Sequence, residues 1–355
     1  MATAGAESRS VATRRAVIVA TRDEAPGAEL RVAGLTVLER AVKQAARLGY
    51  SPLVAADGSV EAPPGIETQR VASAAEAEAL AGELGAPLLR ADVVRPQNTL
   101  EGGLRVTSPD SRRTAEDEIF RQLLRSDLGL VARWLNKPIS FRITRWLLCR
   151  LPITPNQVTV GAALIGFIGC AFIAHGGYAA AVFGFALAHL QSILDGCDGE
   201  LARVRFQTSP IGEWLDTLFD DALNLAICAS TGIGLYRHTG NLPWLWAGLG
   251  GCAMLLTYNI ASYVSLWKQK AGGELMKMKW WFAGSGDVKQ LYSSPNRSPF
   301  MHLFALGRRD VFVLAWALLA LANLVPVVMV WALLIAGAQF VLAVGQIVYL
   351  ARGSR

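Results

Sequence analysis

The spacing of apolar and polar residues changes along the chain, and the changes divide it. Residues 16–20 (AVIVA) and 52–56 (PLVAA) are short apolar runs, and 87–94 (PLLRADVV) reads as a third strand. Between them, residues 34–48 place apolar positions at helical spacing and stop at Gly49, and an Ala/Glu-rich helix is expected near 73–84. Strand–helix alternation of this kind predicts a small α/β domain with a parallel sheet over residues 14–110. Residues 1–13 are expected to be a disordered tail.

Over residues 111–150 the pattern changes. Leu, Ile, Phe and Trp recur at three- and four-residue spacing with Arg between them, which suits two amphipathic helices broken near Asn136–Pro138. A basic amphipathic helix just ahead of a membrane span lies in the headgroup layer. The alternative is a helix hairpin packed on the first domain. From residue 151 to 355 the chain is dominated by apolar runs, at 157–176, 178–197, 211–235, 242–266, 310–325 and 327–350. Most approach the ~20 residues that cross a hydrocarbon core; the fifth is short and runs into Pro326. The fold class expected is therefore an α-helical membrane protein with six transmembrane helices and a small N-terminal α/β domain on the cytoplasmic side.

Composition agrees with that division. Of 355 residues, 52% are hydrophobic and 17% charged, against about 25% charged in soluble domains. The charge is concentrated in the first 150 residues. Residues 112–150, just ahead of the first span, hold nine Lys and Arg, Arg203 and Arg205 follow the second, and the 268–309 loop is rich in both. The opposite loops hold only Arg237, so both termini and the loops near 200 and 290 are expected to face the cytoplasm of a cell (inner) membrane. The start, MATAGAESRSVATRR, lacks the apolar stretch of a secretory signal. The five cysteines form no CxxC pair and read as small apolar residues, with no zinc site or disulfide frame. The four histidines read as packed or interfacial. No nucleic-acid partner is expected.

The candidate chemistry lies where the second span ends and the third begins, in LDGCDGELARVRFQTSPIGEWLDTLFDDALNL. Carboxylates in or beside apolar segments are costly and point to function. Asp195 and Asp198 are three apart and Asp216 and Asp220 four apart, so each pair occupies one helix face. Two such faces brought together give four clustered anions, which need cations to remain ionised. All-oxygen ligation suits Mg²⁺ or Mn²⁺, and two ions can clamp a diphosphate. Gly196, Gly199 and Ala202 keep the first helix end thin, Gly212 lies one turn before Asp216, and Arg203 suits phosphate. Glu200, Glu213 and Asp221 fall outside the shared stripe and are expected to be solvated or to support it from behind.

The spacing Asp195-x2-Asp198-Gly199-x2-Ala202-Arg203-x8-Gly212-x3-Asp216-x3-Asp220 resembles the signature of the CDP-alcohol phosphotransferase family at every defined position. That resemblance implies a pair of metal ions on Asp195, Asp198, Asp216 and Asp220, with Asp220 also taking the proton of the acceptor hydroxyl. It implies a CDP-alcohol substrate, with Gly199, Ala202 and Gly212 about the nucleotide and Arg203 at its phosphates. Asn156 and Thr159, in Thr154-Pro155-Asn156-x2-Thr159, would lie near the nucleotide; Thr-Pro-Asn is also a helix-start signal. The family commonly forms homodimers. Two other readings use acidic membrane helices: an intramembrane prenyltransferase, which resembles two separate Asp-rich motifs where this chain has one, and a divalent-cation transporter, which would need no Arg203.

The acceptor is harder to read. Arg308 and Arg309, entering the fifth span, are the better candidates for an anion site in the basic 268–309 loop. The first domain resembles a shortened sugar-nucleotidyltransferase through Val32–Arg40 and the strand PLVAA. Such a domain joined to this membrane family is similar to bifunctional inositol-1-phosphate cytidylyltransferase/di-myo-inositol phosphate phosphate synthases, which implies an inositol phosphate acceptor. The stretch after AVIVA has no glycine-rich nucleotide loop, so the domain is expected to be inactive, with Asp92 as a faint echo of a metal-binding residue.

Overall fold

The structure is a computed structural model that describes residues 14–124, 131–269, 280–281 and 307–352. The expectations for the 1–13 tail and for most of the 268–309 loop fall outside the described residues. The chain divides into two compact units, the first ending at Leu123 but also taking in Val204–Phe206, the second formed by the rest.

The first unit is α/β. Its sheet joins β1 (Arg15–Ala20), β4 (Ser51–Ala56), β5 (Glu67–Arg70) and β6 (Leu88–Arg90) in the order β5-β4-β1-β6, all parallel. Short antiparallel ladders pair β2 (Arg31–Val32) with β3 (Leu35–Thr36) and β7 (Val93–Val94) with β8 (Leu104–Arg105). Helix α1 (Val37–Arg47) starts at a capping box between Thr36 and Glu39, and α2 (Ala74–Glu83) starts at Ser73. After the exposed Arg15, β1 is apolar because both its faces are covered. Ala16, Ile18 and Ala20 pack with Leu38, Ala41 and Ala45 of α1, while Val17 and Val19 pack with Ala77 and Ala81 of α2.

Two local readings change. The run 87–94 is not one strand: it divides into β6 and β7 around Ala91 and a fully buried Asp92. The 111–150 region also divides. Helix α3 (Pro109–Gln122), capped by Ser108, buries Ala115, Ile119 and Phe120 within the first unit, and its Glu116 accepts from the Ala33 N–H at 3.1 Å. This part follows the alternative of packing on the first domain.

The rest of that region belongs to the second unit. A π turn (Ala132–Asn136) runs directly into α4 (Lys137–Trp146), with helical backbone at both Asn136 and Lys137. The expected break at Asn136–Pro138 is thus a change of helical type. A wide turn removes the need for the N–H that Pro138 lacks, so the helix continues through it. The outer surface of this segment exposes Trp134, Trp146 and Leu147.

Four long helices follow: α5 (Pro155–His175), α6 (Tyr178–Val204), α7 (Pro210–Thr239) and α8 (Leu242–Gln269). After them come α9 (Arg309–Leu321) and α10 (Val325–Arg352). Thr154 and Gln157 form a capping box at the start of α5, and Ser209 caps α7 ahead of Pro210. Five described helices, α5–α8 and α10, are long and apolar enough to cross a membrane. The fifth expected span corresponds to α9, whose 13 residues rise only about 20 Å, short of a ~30 Å hydrocarbon core. The chain leaves it through Asn323 at positive φ, and Pro326 lies in the first turn of α10.

Helix α7 is central, packing on α5, α8 and α10. The core between these helices is built from Phe185, Ile173, Leu223, Phe312, Trp316 and Val328. Leu164, Ile168, Ile260, Leu334 and Val341 are exposed on outer faces, as lipid-facing residues are. Small residues set the closest approaches. A Cβ on Gly232 would stand 2.7 Å from the Gly248 Cα, backbone against backbone. Gly232→Val should therefore force α7 from α8 at a cost of about 1–3 kcal/mol. Thermal melting in detergent checks this, with Gly250→Ala, where a Cβ meets nothing within 4 Å, as the neutral control.

Candidate active site

The aspartates sit on the last three turns of α6 and the first three of α7. Asp195, Asp216 and Asp220 converge, with one carboxylate oxygen from each lying within 4.8 Å of the others. An α6 face and an α7 face meet there, as the i, i+3 and i, i+4 spacings require. Asp198 is outside this group. Its buried carboxylate accepts from the Thr159 hydroxyl of α5 and from the Gly199 N–H.

The other expected residues fall into two clusters beside the carboxylates. Arg203 folds its guanidinium back over Gly199, at 3.3 Å from where a Cβ would stand. A side chain at Gly199 would displace it. At the start of α7, a Cβ on Gly212 would meet Asn156 Oδ1 at 3.2 Å. Gly212 thus leaves room for the N-terminal turn of α5 to approach that of α7. Ala202 is half-buried on α6.

Several polar partners were not expected. Arg309, the first residue of α9, forms an ion pair with Asp220 and stands 4.0 Å from Asp195. Its Nη2 also donates to Gln191 Oε1 at 2.8 Å, and Gln191 Nε2 donates to Asp195 Oδ1 at 3.4 Å. The sequence makes Arg309 a candidate site for an anion; in the structure the anion it holds is the aspartate cluster itself. Arg308 pairs with Asp310 at 3.3 Å, and Asp310 accepts from the Ala132 N–H at 2.9 Å. Asp221 accepts from the Tyr263 hydroxyl at 2.5 Å. Glu200 is fully buried rather than solvated.

A cavity of about 230 Å³ opens from the carboxylates into the bundle, lined by Asp216, Asp220, Asn224, Tyr258, Arg309 and Gln339 among others. Its wall pairs acids and amides with an apolar floor from Leu255, Phe312 and Ile335. This is the form of a site that positions one polar end of a substrate.

The residues present fit a hard divalent cation. The three convergent donors are all carboxylate oxygens, the ligands Mg²⁺ and Mn²⁺ prefer. Asp216 Oδ1 is moreover buried with no hydrogen-bond partner among the described residues. A carboxylate oxygen in that condition is costly unless a cation meets it.

Comparison with known proteins agrees with this geometry. Residues 152–338 match the model of the family described as CDP-alcohol phosphatidyltransferase. The chain is also similar to proteins named bifunctional IPC transferase and DIPP synthase. For the one from Aquifex aeolicus (strain VF5), identity is 31% over 152 residues, 43% of this chain and 34% of that protein. For that of Thermococcus kodakarensis it is 35% over 116 residues, 32% of this chain and 26% of the relative. For that of Rubrobacter xylanophilus it is 36% over 129 residues, 36% and 29% respectively. These alignments span about a third or less of the relatives' length.

Proposed function

The chain belongs to the CDP-alcohol phosphatidyltransferase family, and we propose that it transfers a phospho-alcohol group from a CDP-linked donor to an acceptor hydroxyl, releasing CMP. The observation that carries this reading is the convergence of Asp195, Asp216 and Asp220 at the facing ends of two apolar helices. Asp195, Asp198, Asp216 and Asp220 would hold one or two Mg²⁺ or Mn²⁺ ions. Bound there, the cations would neutralise the donor diphosphate and ease departure of CMP.

The chain's own side chains do the rest. Thr159 fixes the Asp198 carboxylate by a hydrogen bond. Gly199, Ala202 and Gly212 leave space for the nucleotide, Asn156 stands beside Gly212, and Arg203 offers its guanidinium fork to the phosphates. Asp220 receives the proton of the incoming hydroxyl, which makes that oxygen nucleophilic toward the β-phosphorus. The bond formed is acceptor oxygen to β-phosphorus; the bond broken joins that phosphorus to the bridging oxygen, which leaves on CMP. Gln191 and Arg309 keep Asp195 and Asp220 oriented.

The Lys/Arg bias supports a cytoplasmic active site and cytoplasmic termini, and membership of the family supports a homodimer in the bilayer. Similarity to relatives named bifunctional IPC transferase and DIPP synthase supports an inositol phosphate acceptor. The first unit we read as a non-catalytic nucleotidyltransferase-like domain serving docking or regulation. Its candidate metal ligand, Asp92, is already engaged by Arg105 at 2.7 Å and Arg90 at 3.3 Å.

Metal-dependent CMP release tests the reading. Purified protein is offered CDP-diacylglycerol or CDP-inositol, each with inositol phosphate, glycerol phosphate or serine, with Mg²⁺ or EDTA. Release that requires Mg²⁺ is expected with one pair, and that pair names the pathway. Protein that neither releases CMP nor binds CDP with metal overturns the enzyme reading and leaves cation transport.

A further inference from the structure

Helix α6 carries a second polar cluster on the side away from its aspartates. At about 100° per residue, Glu200 points about 200° from Asp198 and about 140° from Asp195. It is completely buried. Its Oε1 accepts from Lys137 Nζ at 2.7 Å and from Ser140 Oγ at 2.6 Å, and its Oε2 accepts from Thr144 Oγ1 at 2.7 Å. Lys137, Ser140 and Thr144 are spaced i, i+3, i+7, so one face of α4 supplies all three donors. Ser140 and Thr144 are themselves buried. Gly196 makes room for the contact: a Cβ there would lie 3.2 Å from Lys137 Nζ.

A charged cluster is a poor way merely to hold two helices together. Burying a carboxylate and an ammonium costs desolvation, and well-packed apolar residues often hold as well or better. What such a cluster provides is position, because three directional bonds to one carboxylate admit a single rotation and a single axial offset of α6 against α4. Asp195 and Asp198 lie on the same turn and a half of helix, so whatever fixes Glu200 fixes them. A misplacement of about 1 Å in a reacting geometry costs as much as ~100-fold. The end of α4 meanwhile exposes Trp146, with the guanidinium groups of Arg145 and Arg150 over its ring.

We infer that Glu200 is a positioning residue: through Lys137, Ser140 and Thr144 it sets the rotation of α6 that brings Asp195 and Asp198 to the metal and diphosphate site. The inference rests on the proposed metal site. It predicts that the cluster matters to cation binding more than to folding.

The test is Mn²⁺ binding in the presence of CDP, followed by electron paramagnetic resonance on the full chain in detergent, alongside thermal melting. Three proteins are compared with wild type: Glu200→Gln, Thr144→Val, and Lys137→Met with Glu200→Leu, which replaces the ion pair by an apolar pair. The double variant should melt at or above wild type yet bind Mn²⁺ at least tenfold more weakly. Glu200→Gln should lose a similar factor, and Thr144→Val about threefold. Wild-type Mn²⁺ affinity in the folded variants, with or without a lowered melting point, overturns the inference and leaves the cluster a structural one. Wild-type protein that binds no Mn²⁺ with CDP overturns the metal-site reading, and this inference with it.

Discussion

Protein carrying Asp220→Asn should release CMP at least a thousandfold more slowly than wild type while remaining folded. Two losses combine. A positioned base contributes about 10²–10⁴-fold, and asparagine cannot accept the acceptor's proton. The same change removes one of three convergent carboxylates, which weakens the hold on any cation. The fold should tolerate it, because Arg309 keeps Gln191 and stands near Asp195, and because one fewer anion in the cluster lowers its repulsion. CMP release under saturating Mg²⁺, set beside thermal melting, separates the chemical loss from a structural one. Activity within tenfold of wild type would mean that Asp220 is not the base, and Asp216 would take its place as the candidate.

The convergence of Asp195, Asp216 and Asp220 was legible because they lie within 26 residues on two adjoining helices, where helical spacing alone decides which side chains share a face; Asp198, expected with them, instead turns to Thr159 of α5. Gln191 lies one turn before Asp195, but an amide carries no signal until its partner is known, and the sequence did not single it out. Glu200 could be placed off the stripe but not inside the protein: its donors stand about 60 residues earlier, on a segment whose outward face reads as interfacial. Arg309 was recognised as holding an anion, though which anion depended on how α9 returns to α6. In the first unit, β1, α1, β4 and α2 follow from apolar spacing. β5 does not, since Glu67–Arg70 is an exposed edge strand defined only by its pairing with β4. Asp92 interrupts an apolar run because its two arginines, Arg90 and Arg105, satisfy it where the sequence shows only a charge among valines and leucines.

Arg309→Gln should separate what the guanidinium does for the fold from what it does for the cation. In the structure Arg309 supplies positive charge to a site where Asp195, Asp216 and Asp220 crowd together. Unit charges about 4 Å apart interact by ~4 kcal/mol at an effective dielectric near 20, and removing one partner of a largely buried pair costs about 3–5 kcal/mol. Metal-free Arg309→Gln should therefore lose about 3 kcal/mol of stability, a fall of roughly 6–12 °C in melting temperature. Added Mg²⁺ should restore most of that loss, since a divalent cation supplies the charge the variant lacks. Cation affinity should move the opposite way, rising about tenfold, because the ion no longer competes with a guanidinium for Asp220. Turnover should still fall, as Asp195 and Asp220 lose the group that orients them with Gln191. An equal drop in melting temperature with EDTA and with Mg²⁺ would show that Arg309 holds α9 in place and shares no ligand with the cation. Recovery by Mg²⁺ would mean that guanidinium and metal alternate at one carboxylate cluster, which couples the seating of α9 to the loading of the active site.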